Sequence, residues 1–73
     1  MISSWNNRGR AYYAKGDYGR AISDYSEAIR RKPDNAVAWR NRGIAYKELG
    51  DDAKSKADFL KAEELEAKAK KQS

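Results

Sequence analysis

WNNRGRAYYAKGDY occupies residues 5–18, and WRNRGIAYKELGDD occupies residues 39–52. Trp5, Asn7, Arg8, Gly9, Ala11, Tyr12, Gly16 and Asp17 recur as Trp39, Asn41, Arg42, Gly43, Ala45, Tyr46, Gly50 and Asp51, each 34 positions later. At the same offset Asp24 and Ala28 return as Asp58 and Ala62, and Tyr25 is answered by Phe59. A fixed period of this length, with large aromatics, small residues and a glycine midway, marks stacked units that each bury one face against the next.

Local signals divide each copy into two helices. Ser3 and Ser4 are candidate caps for a first helix reaching about Lys15, where Gly16-Asp17 supplies a stop and a new start. A second helix should run to about Lys32 and end at Pro33 with Asp34-Asn35. A third is expected over residues 36–49 before Gly50-Asp51 breaks the chain again, and a fourth from Asp52 into the Ala/Lys/Glu tail, fraying near Lys70. No segment sustains the alternation of a strand. The expected organisation is one domain over residues 1–73: a first repeat at about 2–35, a second at about 36–69, and a frayed tail over 70–73.

At 3.6 residues per turn, the first helix carries three stripes. Trp5, Gly9 and Tyr12 should face Ala21, Tyr25 and Ala28 of the second helix, small residues letting the axes approach while rings fill the space beside them. Ser4, Arg8, Ala11 and Lys15 would face a preceding repeat. Ser3, Asn6, Arg10 and Tyr13 are left for the concave side, with Val37, Arg40, Ile44 and Lys47 as their equivalents in the second copy.

The ends of the array show as differences between the copies. Leu49 corresponds to Lys15, while Tyr18, Ile22 and Ile29, expected to meet the third helix, correspond to Asp52, Lys56 and Glu63. Both outer faces are thus hydrophilic, as terminal repeats require, and the array is expected to be complete at two. Two is below the usual minimum of three, so the long fourth helix or a second chain should add contacts.

The pattern resembles the tetratricopeptide repeat family, in which Trp, Leu-Gly, Tyr, Ala, an aromatic, Ala and Pro follow one another. In the first copy these places hold Trp5, Arg8-Gly9, Tyr12, Ala21, Tyr25, Ala28 and Pro33. In the second they hold Trp39, Arg42-Gly43, Tyr46, Ser55, Phe59, Ala62 and Ala67. Arg8 and Arg42 stand in place of the usual leucine, and Ser55 and Ala67 depart in the second copy. The resemblance implies an all-α fold of four helices, two stacked antiparallel hairpins forming a fragment of a right-handed solenoid. It also implies a non-catalytic module for protein–protein interaction, without cofactor or metal. Some relatives grip the C-terminal carboxylates of chaperone peptides with a Lys and an Asn on the first inner helix, an Asn on the second, and Lys and Arg on a third. Asn41 matches the second-repeat Asn, but Asn6 and Arg10 occupy the first-repeat places, so a looser grip on acidic side chains or a terminal carboxylate is expected.

Composition narrows the function classes. The chain has 73 residues, no Cys and no His, which excludes disulfides and leaves carboxylates, Lys, Tyr or Ser for any catalysis. The acid pairs Asp51-Asp52 and Glu63-Glu64 point about 100° apart on a helix, and the first pair suits a helix start better than chemistry. Apolar runs are far short of a membrane span and the N-terminal residues lack a signal-peptide core, so a soluble, cytoplasmic protein without membrane contact is expected. Net charge is +5, from 16 Lys and Arg against 11 Asp and Glu. Residues 2–15 and 36–49 hold Arg8, Arg10, Lys15, Arg40, Arg42 and Lys47 against Glu48 alone, so 6 minus 1 accounts for that +5. The rest of the chain is neutral.

The excess charge nominates Asn6, Arg10, Tyr13, Arg40, Asn41, Ile44 and Lys47 as a groove for a peptide, favouring an acidic one. Arginine forks carboxylates, and asparagine bonds an extended backbone. Two alternatives come from other classes: self-association by stacking or exchange of hairpins, and nucleic-acid binding through the basic face. Nucleic acid ranks below peptide because both Trp residues and Tyr12 are assigned to the core, and a monomer ranks above a homo-oligomer.

Overall fold

The computed structural model describes residues 2–72, with side chains over residues 5–70. The described residues form α1 (Ile2–Ala14), α2 (Tyr18–Arg31), α3 (Ala36–Glu48) and α4 (Asp52–Gln72). α1 pairs with α2 and α3 with α4 as hairpins, and α2 lies against α3, joining the two into a stack. α1 and α3 approach one another more lightly, along the concave side. No helix among the described residues is long and apolar enough to cross a membrane.

The Gly-Asp pairs act as expected, in both copies. Gly16 and Gly50 adopt φ of 85° and 86°, a left-handed turn that a Cβ would oppose. That turn returns Asp17 N–H to the Tyr12 carbonyl and Asp51 N–H to the Tyr46 carbonyl, each at 2.9 Å, closing helix ends that would otherwise leave carbonyls unpaired. The same aspartates then start the next helix: the Asp17 carboxylate accepts from Arg20 N–H and that of Asp51 from Lys54 N–H. Asn35 caps α3 by accepting from Val37 N–H at 3.1 Å.

Two end assignments change. α1 already begins at Ile2, so Ser3 and Ser4 lie within its first turn and not at its cap. α4 stays helical to Gln72, beyond the expected fraying at Lys70, and Glu64–Lys68 and Lys61–Glu64 pairs at helical spacing support it. Ser73 lies outside the described residues.

The core is narrow and built on alanine. Ala21, Tyr25 and Ala45 form one cluster with Tyr12, Tyr13 and Ile22 against it, and Ala28, Ile29 and Ala38 form another that takes Trp5 and Trp39. An ideal Cβ on Gly9 would sit 2.6 Å from the Tyr25 ring, so this glycine is what lets α1 close on α2. Ser55 replaces the alanine of the first copy, and its buried hydroxyl donates to the Gly43 carbonyl at 2.8 Å. Leu49, expected to pack against the first repeat, remains 55% exposed because it forms the C-cap of α3.

Candidate functional site

Arg8 and Arg42, which replace the usual leucine, close back onto their own hairpins. Arg8 Nε and Nη2 each donate to Asp24 at 2.8 Å. Arg42 repeats the fork on Asp58 at 2.8 and 2.9 Å. Each guanidinium also lies over the rings one turn to either side. Arg8 Cζ is 4.9 Å from the Trp5 centroid and 6.0 Å from that of Tyr12, and Arg42 Cζ is 4.9 Å from Trp39 and 5.7 Å from Tyr46. Both arginines are held more firmly protonated than usual, chiefly by the hydrogen bonds they donate to their aspartates and against the opposing effect of burial. The expectation that Arg8 addresses a preceding repeat is therefore corrected: the side chain is long enough to reach the buried Asp24 beside it. Sequence reasoning missed these forks, although Arg and Asp stand 16 positions apart in both copies.

These forks redistribute the charge that nominated the groove. Arg8 and Arg42 are paired, and Arg40 is paired with Glu66 on the part of α4 that extends past its hairpin. Of the six cations counted on α1, α3 and their ends, Arg10, Lys15 and Lys47 have no ion pair among the described residues.

Four of the seven nominated residues line one cavity of about 330 Å³ between α1 and α3: Arg10, Tyr13, Asn41 and Ile44. Ala14 and Tyr25 complete its wall. The repeat pattern places Tyr25 in the core; its ring does lie under Gly9 and also borders the cavity. Asn6 and Asn41 are half-buried, and Asn6 Oδ1 and Asn41 Nδ2 are buried without a hydrogen-bond partner among the described residues. Asn6, Arg40 and Lys47 are not part of the cavity wall.

Tyr13 packs against Tyr18 in a tilted pair with ring centroids 5.2 Å apart, and the Tyr18 hydroxyl is 3.5 Å from the Glu48 carboxylate. Burial first, then Glu48 and Tyr18, raises the Tyr13 phenol above its ordinary range. Tyr13 is thus neutral with the Glu48 carboxylate nearby, while Arg10 and Asn41 in the same wall offer unpaired donors. Such an arrangement can hold a small anion-bearing group with an apolar body; it contains no nucleophile–base pair.

A model described as TPR repeat matches residues 9–50, and one described as tetratricopeptide repeat matches residues 36–68. The chain belongs to the tetratricopeptide repeat family. The first match alone spans more than half of the 73 residues. Stress-induced-phosphoprotein 1 of Caenorhabditis elegans is 48% identical over 31 residues, which is 42% of this chain and 10% of that protein. The chain therefore matches only a small part of that relative. Tetratricopeptide repeats are protein-interaction modules, and the stacked hairpins described above are the form such a module takes.

Proposed function

We propose that this tetratricopeptide repeat pair is a non-catalytic peptide-binding module that takes an acidic peptide segment or C-terminus along the concave side of α1 and α3. The observation that carries it is Arg10: it borders the cavity between the inner helices and has no acidic partner among the described residues, unlike Arg8, Arg40 and Arg42. Unpaired polar atoms on Asn6 and Asn41 support the same side, since an extended peptide carries both backbone donors and acceptors. The similarity to part of stress-induced-phosphoprotein 1 fits a protein-binding role. Pairing of three of the six inner-helix cations favours a discrete anion site over a track of phosphate contacts, which would need many free Lys and Arg.

An array of acidic peptides probed with the purified chain tests this. Binding should weaken with salt, because exposed charges are screened beyond about 8 Å at physiological ionic strength. Arg10→Glu should abolish it and leave the helical melt unchanged, whereas Arg20→Gln with Arg30→Gln, on α2, should bind as the parent does. Retention of every bound peptide by the Arg10→Glu chain would move the site elsewhere.

A further inference from the structure

The second hairpin shows what covers an Arg–Asp fork of this kind. α2 lies across it, and Ser26 Oγ accepts from Arg42 Nη1 at 3.1 Å. One turn before Ser26, Ile22 packs on the cluster that holds the fully buried Ala45, and one turn after it Ile29 packs with Ala38 and Trp39. At the end of the same contact the Tyr18 hydroxyl approaches Glu48. Tyr18, Ile22, Ser26 and Ile29 are four, four and three residues apart, which places them in one stripe along α2.

The first hairpin carries the same seat uncovered. Asp24 takes Arg8 Nε and Nη2, but Arg8 Nη1 has no acceptor among the described residues and the side chain is exposed. Ala11, the counterpart of Ala45, is exposed as well. The neighbouring rings are held by further guanidiniums: Arg31 Cζ is 5.5 Å from the Trp5 centroid and Arg20 Cζ is 5.7 Å from that of Tyr12. A surface already in this geometry loses little conformational freedom when a partner docks. The rim differs from the covered seat, since Ala14 and Lys15 stand where the second copy has Glu48 and Leu49. Lys15 has no ion pair among the described residues.

We propose that the α1 face bearing Arg8 and Ala11 is a docking surface for an amphipathic helix of a partner protein. Along one stripe that helix carries an acidic residue, an aliphatic residue, a Ser or Thr and a second aliphatic residue, at the spacing of Tyr18, Ile22, Ser26 and Ile29. The hydroxyl accepts from Arg8 Nη1, the first aliphatic group covers Ala11, the second lies beside Trp5, and the acid pairs with Lys15. A second copy of this chain is a poor occupant. Its α4 stripe reads Asp52, Lys56, Leu60 and Glu63, with charges at both aliphatic places and no acceptor opposite Arg8. The surface is separate from the cavity between α1 and α3, whose wall includes neither Arg8 nor Ala11, so it goes beyond the proposed groove function.

Calorimetric titration of the full chain with a synthetic helix tests the surface. The peptide is as long as α2, carries Asp, Ile, Ser and Ile along the stripe with Ala, Lys and Gln elsewhere, and is lactam-bridged because free helices of this length are marginal in water. Replacing its Ser by Ala should weaken binding about ten-fold, the loss of one hydrogen bond from a charged donor. Replacing either Ile by Ala should cost about as much. In the protein, Ala11→Glu should abolish binding and keep the parent's helical melt, because the position is exposed. Lys15→Glu should weaken binding roughly two- to five-fold, and a peptide with Lys in place of its Asp should restore it. Absence of binding at millimolar peptide, or undiminished binding of the Ser→Ala peptide or by the Ala11→Glu chain, would overturn the docking surface. Loss in Arg10→Glu but not in Ala11→Glu would place the helix in the groove, overturning the surface and leaving the peptide-binding function standing. Oligomers of the parent alone that Ala11→Glu disperses would overturn it by making a second copy the occupant.

Discussion

Arg42 and Asp58 form a two-bond fork whose arginine retains 18% side-chain exposure, whereas the same fork between Arg8 and Asp24 leaves its arginine 57% exposed. The two aspartates are equally buried, at 6%. What differs is the neighbour: α2 covers Arg42, and Ser26 Oγ accepts from its third guanidinium nitrogen at 3.1 Å. One chain thus contains the same interaction with and without a repeat stacked on it.

The asymmetry predicts unequal losses. Asp58→Ala leaves a covered guanidinium with no counter-ion and should destabilise the fold by roughly 2–4 kcal/mol, just under the range for a fully buried pair. Asp24→Ala leaves Arg8 free to turn into water, so its loss should be clearly smaller. Urea midpoints of the two variants decide it, and equal midpoints would refute the covering role given to α2. Replacing both partners, as in Arg42→Met with Asp58→Leu, should recover much of the loss.

Glycine substitutions should separate by what a new methyl group meets. Gly9→Ala places a Cβ 2.6 Å from the buried Tyr25 ring, and overpacking of this kind costs about 1–3 kcal/mol, more than the roughly 1 kcal/mol alanine gains in a helix. Gly43→Ala meets Phe59 at 3.1 Å and the Ser55 carbonyl at 3.2 Å, a lesser conflict that should nearly cancel the gain. Gly19, in the first turn of α2, has nothing within 4 Å, so Gly19→Ala should stabilise by up to about 1 kcal/mol. Thermal melts should order the variants Gly19→Ala, Gly43→Ala, Gly9→Ala from most to least stable.

The helix ends and the core stripe were legible in the sequence because their causes are local or periodic. A Gly-Asp pair ends one helix and caps the next with few residues involved, and Trp5, Gly9, Tyr12 and Tyr25 announce their faces by spacing. The fates of the arginines were not legible in that way. Spacing gives the direction in which Arg8 leaves its helix, yet its long stem bends to Asp24, whose distance is set by how closely α1 and α2 pack around Gly9. Spacing places Arg40 in the groove, whereas its pairing with Glu66 depends on α4 continuing past its hairpin. Half of the cavity wall was visible as a stripe; the contribution of Tyr25 from beneath depends on the glycine that exposes its ring.

The outer face of α4 should govern self-association. Lys56 and Glu63 are exposed where the first copy has Ile22 and Ile29, which pack on α3, and Leu60 between them is 56% exposed. Lys56→Ile with Glu63→Ile would join Leu60 in one apolar strip of the kind that recruits a partner. Sedimentation at micromolar concentration should show the parent as a monomer and the double variant as a dimer or larger. A parent that already sediments as a tight dimer would show that the charged face does not keep copies apart.

Alkaline pH should expose the double duty of Tyr25. The residue is 2% exposed, and burial raises the phenol above its ordinary value of about 10, with the Arg10 charge opposing it and Tyr13 and Asp24 acting in the same sense. A group whose pKa is raised on folding contributes stability fully present below the unfolded value and lost as pH climbs toward and through the folded one. Between pH 5 and 9 Tyr25 should therefore add no pH dependence, and above about 10 the unfolded chain should gain by ionising it. Tyr25→Phe keeps the ring and removes the proton, and because the hydroxyl has no hydrogen-bond partner among the described residues, the variant should melt near the parent at pH 8. At pH 11 the variant should melt above the parent. Tyr25→Ala should instead unfold the chain at any pH, since deleting a buried aromatic costs about 3–5 kcal/mol, as much as a domain of this size holds in total. Parallel melting curves for parent and Tyr25→Phe from pH 8 to 11 would mean that the Tyr25 hydroxyl reaches solvent through the cavity and ionises in the folded state.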